Sequence, residues 1–395
     1  MVQPGTVTIE DPSKPTSREY YLAADGLFPE ESGNNLTQRL LPALFVLMVS
    51  ALGLLSVIAG LLILGSFLDP DADSTNLILQ IFADVIPLAV LLTPAVLSRF
   101  GLTSRSIGLK EDLNIPLAFR TYLALTLIVI LASILLQFLV LLPIYIFFGT
   151  EAEETGPYPD ISFEDPGFLL LWILVAVIIG PIYEEVLARG YLIPLLEKRG
   201  ASPAVAILGS SAIFSGLHLQ ADLLAMFDEG STIGAIDFPI SHAVSTFVIG
   251  LIFGTIYYAS GRSLKTCILL HSINNGVATL LLASSGDLDT QLWLVFFYFM
   301  AALLGGGYIL YSYRSLFSRE WNFAKRDLRG VESALINYLA TVCIMAIIPI
   351  TLLFLGGFLA YLAWYCFGGI IFAVFLYMAG KSPPTIPSYD DPSIR

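Results

Sequence analysis

The sequence predicts an all-α fold, a polytopic transmembrane helical bundle of about ten spans, with nine as the alternative count. Three observations carry that prediction. Hydrophobic residues make up 56% of the 395 positions and charged residues only 13%, whereas soluble domains are about a quarter charged. Apolar runs of the length needed to cross a bilayer, about 20 residues each, recur along the chain. Lys and Arg fall in alternate connecting segments and are absent from those between, the pattern of loops sorted to two sides of a membrane.

Residues 1–39 are polar, rich in Pro, Gly, Ser and acids, and lack the charged-then-apolar opening of a cleaved signal. They read as a cytoplasmic tail. Spans are expected at 40–68, 77–97 and 117–148, an N-terminal group over 40–148. A core over 168–283 follows, with spans at 168–197, 203–219, 240–260 and 264–283. The C-terminal group over 292–380 holds 292–313, 335–355 and 358–379, and a polar tail occupies 381–395. Gly356 and Gly357 separate the last two spans, because that apolar stretch is too long for one helix across about 30 Å of hydrocarbon. The glycines of GGGY at 305–308 suit close helix packing.

Orientation follows from the basic residues. Lys14, Arg18 and Arg39 lie in the N-terminal tail. Arg99, Arg105 and Lys110, then Lys198 and Arg199, then Arg262 and Lys265, and finally Arg314 through Arg329 mark cytoplasmic segments. The intervening loops 69–76, 149–167, 220–239 and 284–291 hold no Lys or Arg and many acids, so they face outward. With ten spans both termini are cytoplasmic. The net charge of -13 comes largely from those outward loops, and no basic patch for a nucleic acid is present. Cys267, Cys343 and Cys366 all sit in apolar segments, where a thiol acts as a small hydrophobe and no CxxC suggests a metal site.

Against this background a few polar residues stand out. Glu184 and Glu185 end an apolar run in GPIYEEVLARGYL, with Arg189 four residues after Glu185. His218 closes FSGLH at 214–218, and His271 opens HSINN at 271–275, so two of the three histidines lie at membrane depth. Ionisable groups in hydrocarbon cost a few kcal/mol or more and persist where they pair, line a wet cavity or do chemistry. Residues four apart share a helix face, so Glu185 with Arg189, Phe214 with His218, and His271 with Asn275 each form a short stripe. Depth is a partial check at 1.5 Å of rise per residue: Glu184 falls about 21 Å from the Lys198 end, His218 about 22 Å from Pro203, and His271 only about 9 Å from Lys265. The third stripe thus matches poorly unless helices tilt or break. An alternative has Gly190 and Pro194 break the fourth helix, with 191–199 along the interface.

Addition of water to a carbonyl is the chemistry that fits. A carboxylate in a low-dielectric cavity is a stronger base than one in water. One histidine can hold the same water, while a second with an asparagine amide can donate to an oxyanion. Arg189 would keep one of the adjacent carboxylates ionised and oriented. Equally, Glu184, Glu185, His218 and His271 could ligate a divalent metal such as zinc, which would activate the bound water itself.

EEVLAR at 184–189, FSGLH at 214–218 and HSINN at 271–275 resemble the EExxxR, FxxxH and HxxxN motifs of the CPBP family of intramembrane proteases, in the family's order. That family includes type II CAAX prenyl endopeptidases and bacteriocin-immunity proteins. GRSLKTCILLHSINN is similar to a further family segment, and the resemblance spans residues 168–283. It implies an intramembrane endopeptidase in which Glu184 activates water, His218 helps bind it, Glu185 and Arg189 support, and His271 with Asn275 steadies the oxyanion or scissile peptide. The family has been described both as metal-dependent and as glutamate-dependent. The glutamate reading, with no required cofactor, is favoured here. Membrane lipid and a peptide or membrane-protein substrate are the implied partners.

Plainer readings exist for each residue. Glu185 and Arg189 could be a packing ion pair, which leaves Glu184 unexplained. His218, Asn275 and Asn274 could be polar contacts between helices. His242, beside Ser241 at the outward end of its span, reads as interfacial, and Asp84 as a lone acid near Pro87 and Pro94. Ser215 with His271 could form a serine-protease pair, at the cost of leaving both glutamates idle. The alternatives from other classes are a catalytically silent immunity or scaffold membrane protein and a proton-coupled transporter.

Overall fold

The computed structural model describes residues 40–64, 73–136, 163–228, 237–284, 288–312, 330–349 and 363–370, with positions 161, 328, 351, 352 and 374 beside them. Regular structure among the described residues is helical throughout. In chain order the helices are α1 (Leu41–Leu64), α2 (Asp73–Leu91), α3 (Pro94–Arg99), α4 (Ile115–Leu136), α5 (Pro166–Glu197), α6 (Pro203–Asp228), α7 (Asp237–Ala259), α8 (Leu264–Ala283), α9 (288–312), α10 (331–349) and α11 (363–370). Among the described residues, six stretches are long and apolar enough to cross a membrane: Leu41–Leu64, Asp73–Leu91, Pro166–Glu197, Pro239–Ala259, Leu264–Ala283 and Leu292–Ser312. The protein is therefore a multi-pass membrane protein with an all-α bundle fold. Gly356 and Gly357, on which nine or ten spans turned, lie outside the described residues.

Two sequence expectations change. The second span ends at Leu91, because Pro94 sits in the first turn of the short helix α3, whose cap Thr93 accepts the Val96 N–H. α6 was expected to stop at Leu219 but runs to Asp228, so the segment 220–239 is helical over 220–228 and again from Asp237. No Gly or Pro interrupts residues 217–229, so nothing in that stretch stops the turn. The fourth span, by contrast, is one continuous helix, α5, in line with the expected 168–197, and the alternative break at Gly190 and Pro194 does not occur. It passes each proline by winding as a π-helix just before it, over Ile173–Ile179 ahead of Pro181 and over Val186–Leu192 ahead of Pro194. The looser turn relieves the clash between a proline ring and the preceding carbonyls.

α6 spans 26 residues although it is more polar than its neighbours. Its polar side chains are satisfied inside the protein: Ser210 donates to the Ala188 carbonyl, Ser211 to Ile207, Ser215 to Ala243 and Gln220 to the Tyr365 hydroxyl. Ser215 is thereby committed to a backbone carbonyl, which removes the serine-protease pairing with His271. Gly305 and Gly306 let α9 close on α4, since a Cβ on Gly306 would lie 2.3 Å from the Leu123 carbonyl oxygen. On its outer side α9 exposes Trp293, Phe296, Phe297, Leu304 and Tyr308, a surface suited to lipid.

The last twelve residues of α5, 186–197, are all buried and form the centre of the bundle at that end. Tyr191 stacks on Phe45 of α1 at 4.7 Å, Phe100 meets both rings edge-on, and the Tyr191 hydroxyl donates to the Leu91 carbonyl at the end of α2. A buried clamp closes this end. Lys198 donates to the Phe100 and Gly101 carbonyls, and Glu197 receives Arg262 at 2.6 Å and the Tyr258 hydroxyl. Burial works against the Arg262 cation, but the adjacent Glu197 carboxylate outweighs it and holds the guanidinium above its ordinary pKa. Gly108, at φ +81, lies so close to Arg262 that a Cβ there would sit 1.9 Å from the Arg262 carbonyl oxygen. Replacing Glu197 by Ala should strand a buried charge and cost about 3–5 kcal/mol of stability, read as a lower thermal midpoint in detergent. The apolar double variant Glu197→Leu/Arg262→Met should lose less than Glu197→Ala alone.

Candidate active site

Between its two π segments α5 makes a short α-helical turn, Gly180–Glu185, and this turn carries both glutamates. Glu185 is fully buried. Its Oε1 accepts Arg189 Nη1 at 2.9 Å and His271 Nδ1 at 2.8 Å. Arg189, 1% exposed, also donates through Nη2 to the Gly250 carbonyl at 2.9 Å. Its guanidinium lies 5.4 Å from the Phe214 ring centroid and 5.3 Å from that of Phe253. These contacts give Phe214 a function that packing under His218 alone does not: it shields a buried cation with its ring face.

Glu184 behaves differently. Its side chain is 27% exposed, and its Oε2 lies 3.5 Å from His271 Nε2. His271 is therefore bracketed by the two carboxylates. An ionised carboxylate only accepts, so Nδ1 of His271 carries the hydrogen shared with Glu185, and Nε2 faces Glu184. His218 donates from Nδ1 to the Phe214 carbonyl at 3.0 Å. Its ring lies 4.5 Å from that of Phe214, which in turn meets His271 edge-on at 6.3 Å. Asn275, one turn beyond His271 on α8, donates from Nδ2 to the Ala176 carbonyl at 2.8 Å.

Glu184, Glu185, Arg189 and His271 thus form one contiguous group, His218 joins it through Phe214, and Asn275 faces the Ile173–Ile179 turn of α5 instead. The depth mismatch of His271 disappears in the structure. Arg262, just before α8, is level with Glu197 at the end of α5, so the two helices start from a common height. The π turn Val186–Leu192 then places more residues in each turn and climbs less per residue than the α-helix assumed from sequence.

Two neighbours were not expected from sequence. His242, read as interfacial, packs edge-on against His218 with ring centroids 5.3 Å apart and pairs through Nδ1 with Asp222 Oδ2 at 2.7 Å. Asp222 lies four residues after His218 on α6, a spacing that could have flagged it. Asp84 of α2 is buried, receives Gln80 Nε2 at 2.9 Å, and lies within electrostatic reach of Glu184. Toward a metal, Glu185 Oε1 is taken by Arg189 and His271 while its Oε2 is buried without a partner, and among the described residues no group of three or more His, Cys, Asp or Glu is arranged to hold an ion.

Bundle and site together define a multi-pass membrane protein with carboxylates and imidazoles gathered between helices. Residues 166–277 match the family model described as type II CAAX prenyl endopeptidase Rce1-like. The match opens at Pro166, the first residue of α5, and closes just past Asn275, so it covers every motif residue. No curated protein and no solved structure matches the chain.

The unequal surroundings of the two glutamates have a measurable consequence. Glu185→Gln should destabilise the purified protein by about 3–5 kcal/mol, because it strands Arg189. Glu184→Gln, at a half-open position, should change the thermal midpoint by the equivalent of about 1 kcal/mol or less.

Proposed function

We propose that this protein is an endopeptidase that hydrolyses a peptide bond of a membrane-associated peptide or protein with a water activated by Glu184. The observation that carries this reading is the division between neighbours: Glu185 is fully buried and its Oε1 holds Arg189 and His271, while Glu184 is 27% exposed and accepts no hydrogen bond among the described residues. A base that activates water must be reachable by water, and of the two only Glu184 is exposed.

In this mechanism Glu184 removes a proton from water as the water oxygen attacks the scissile carbonyl carbon. The carbonyl π electrons move to oxygen, and His271 Nε2 donates to the oxyanion when its ring holds both protons. His218, whose Nδ1–H is engaged with the Phe214 carbonyl, presents Nε2 as an acceptor that orients the water. When the tetrahedral intermediate collapses, the C–N bond breaks and Glu184 passes its proton to the leaving amine. No step is routed through a metal. Two cytoplasmic termini belong to the same proposal, supported by the basic loops, and access from the cytoplasmic side is what the family resemblance implies.

The test uses full-length protein in liposomes, a farnesylated CAAX peptide and its non-prenylated counterpart, with products read by mass spectrometry. Cleavage should fall by about 10²–10⁴-fold in Glu184→Gln, with protein level and thermal midpoint retained, and EDTA should leave the wild-type rate unchanged. Undiminished cleavage by Glu184→Gln would remove Glu184 as the base. Loss with EDTA and recovery with zinc would replace the glutamate mechanism by a metal one. No cleavage of either peptide, with pH-driven uptake abolished in Glu184→Gln vesicles, would favour the transporter.

A further inference from the structure

Hydrogen-bond accounting along α5 assigns Asn275 a task. Over Ile173–Ile179 each backbone bond reaches five residues back, as the Gly180 N–H bond to the Val175 carbonyl shows. In that register the next donor, the nitrogen of residue 181, would serve the carbonyl of Ala176. Residue 181 is proline and has no N–H. The bond that the backbone cannot make is supplied from α8, where Asn275 Nδ2 reaches the same Ala176 oxygen at 2.8 Å. A carbonyl can only accept, so the amide orientation follows from chemistry.

We infer that Asn275 is a positioning residue that stands in for the missing N–H of Pro181, and through that bond sets the turn Gly180–Glu185 against His271. Its neighbours on the same face of α8 form a ladder of contacts to α5. His271 bonds Glu185, Asn275 bonds Ala176, and Thr279, four residues further, accepts Trp172 Nε1 at 3.1 Å. The two helices run antiparallel, and the ladder holds them in register: without its middle rung an orphan carbonyl remains at membrane depth, where each unsatisfied backbone group is costly. Glu184 lies three residues after Pro181, so any relaxation of that turn moves it relative to His271. The link from this turn to turnover rests on the reading of Glu184 as base; the link to stability does not.

A double-mutant cycle tests the assignment in the full-length protein. Pro181→Ala restores a backbone N–H for the Ala176 carbonyl and should make the Asn275 amide dispensable. With Pro181 present, Asn275→Ala should lower the thermal midpoint and reduce kcat by about tenfold at little change in KM. With Pro181→Ala present, the same substitution should cost little in either measure. Asn275→Asp, near in shape but with no N–H to give, should behave like Asn275→Ala, which guards against a packing effect. An Asn275→Ala loss of equal size with and without Pro181→Ala would overturn the inference and return the amide to direct contact with the reacting group. The midpoint arm of the cycle needs no turnover, so it decides the inference even if no peptide is cleaved.

Discussion

A guanidinium shut away from water organises the centre of this bundle. Arg189 is 1% exposed, and a charge so placed must find its partners in protein. It takes them from three helices: Glu185 on its own, the Gly250 carbonyl and Phe253 ring on α7, and the Phe214 ring on α6. Glu185 then brings in the fourth by accepting His271 from α8. Lysine could not do the same, because only the planar guanidinium offers edges for hydrogen bonds and faces for rings at once. The four helices of the matched segment are tied by one charge, and the histidine of the third motif is oriented as a by-product.

The second organising constraint is the backbone of α5. Two prolines inside α5, Pro181 and Pro194, each withhold an N–H, and hydrocarbon has no water to replace it. The π segments keep the helix continuous, and Asn275 of α8 serves the Ala176 carbonyl, while the Ser210 hydroxyl of α6 adds to the Ile193 N–H at the Ala188 carbonyl. Polar residues on α6 and α8 thus find their partners on the backbone of α5.

How much of this was legible in the sequence depended on the physics behind each signal. Membrane class and helical fold were plain, because composition and run length report directly on transfer to lipid. The i, i+4 stripes survived because helix geometry is local. The course of α5 was only partly legible: the apolar run gives one continuous span, yet Gly190 and Pro194 leave a break open as an alternative, and only surrounding protein, which buries residues 186–197, keeps the turn closed. The depth of His271 went wrong for the same reason, since uniform rise ignores a π turn. Backbone acceptors leave no trace in a sequence, so the target of Asn275 was invisible there. The partner of His242 was hidden because α6 continues past Leu219, and that extra length carries Asp222 up to meet it.

Adjacency of the two glutamates now has a geometric meaning. Consecutive residues on a helix point about 100° apart, so one turn can aim one carboxylate at Arg189 inside the bundle and the next at a half-open space. The buried one has its Oε1 held by two fixed donors and is shut away from water. The other keeps its own available, with an imidazole nitrogen 3.5 Å away. Identical side chains thus acquire different chemistry from environment alone, a division seen wherever paired acids take separate roles. A single glutamate at this turn could anchor Arg189 or face the half-open side, but the helix geometry does not let it do both.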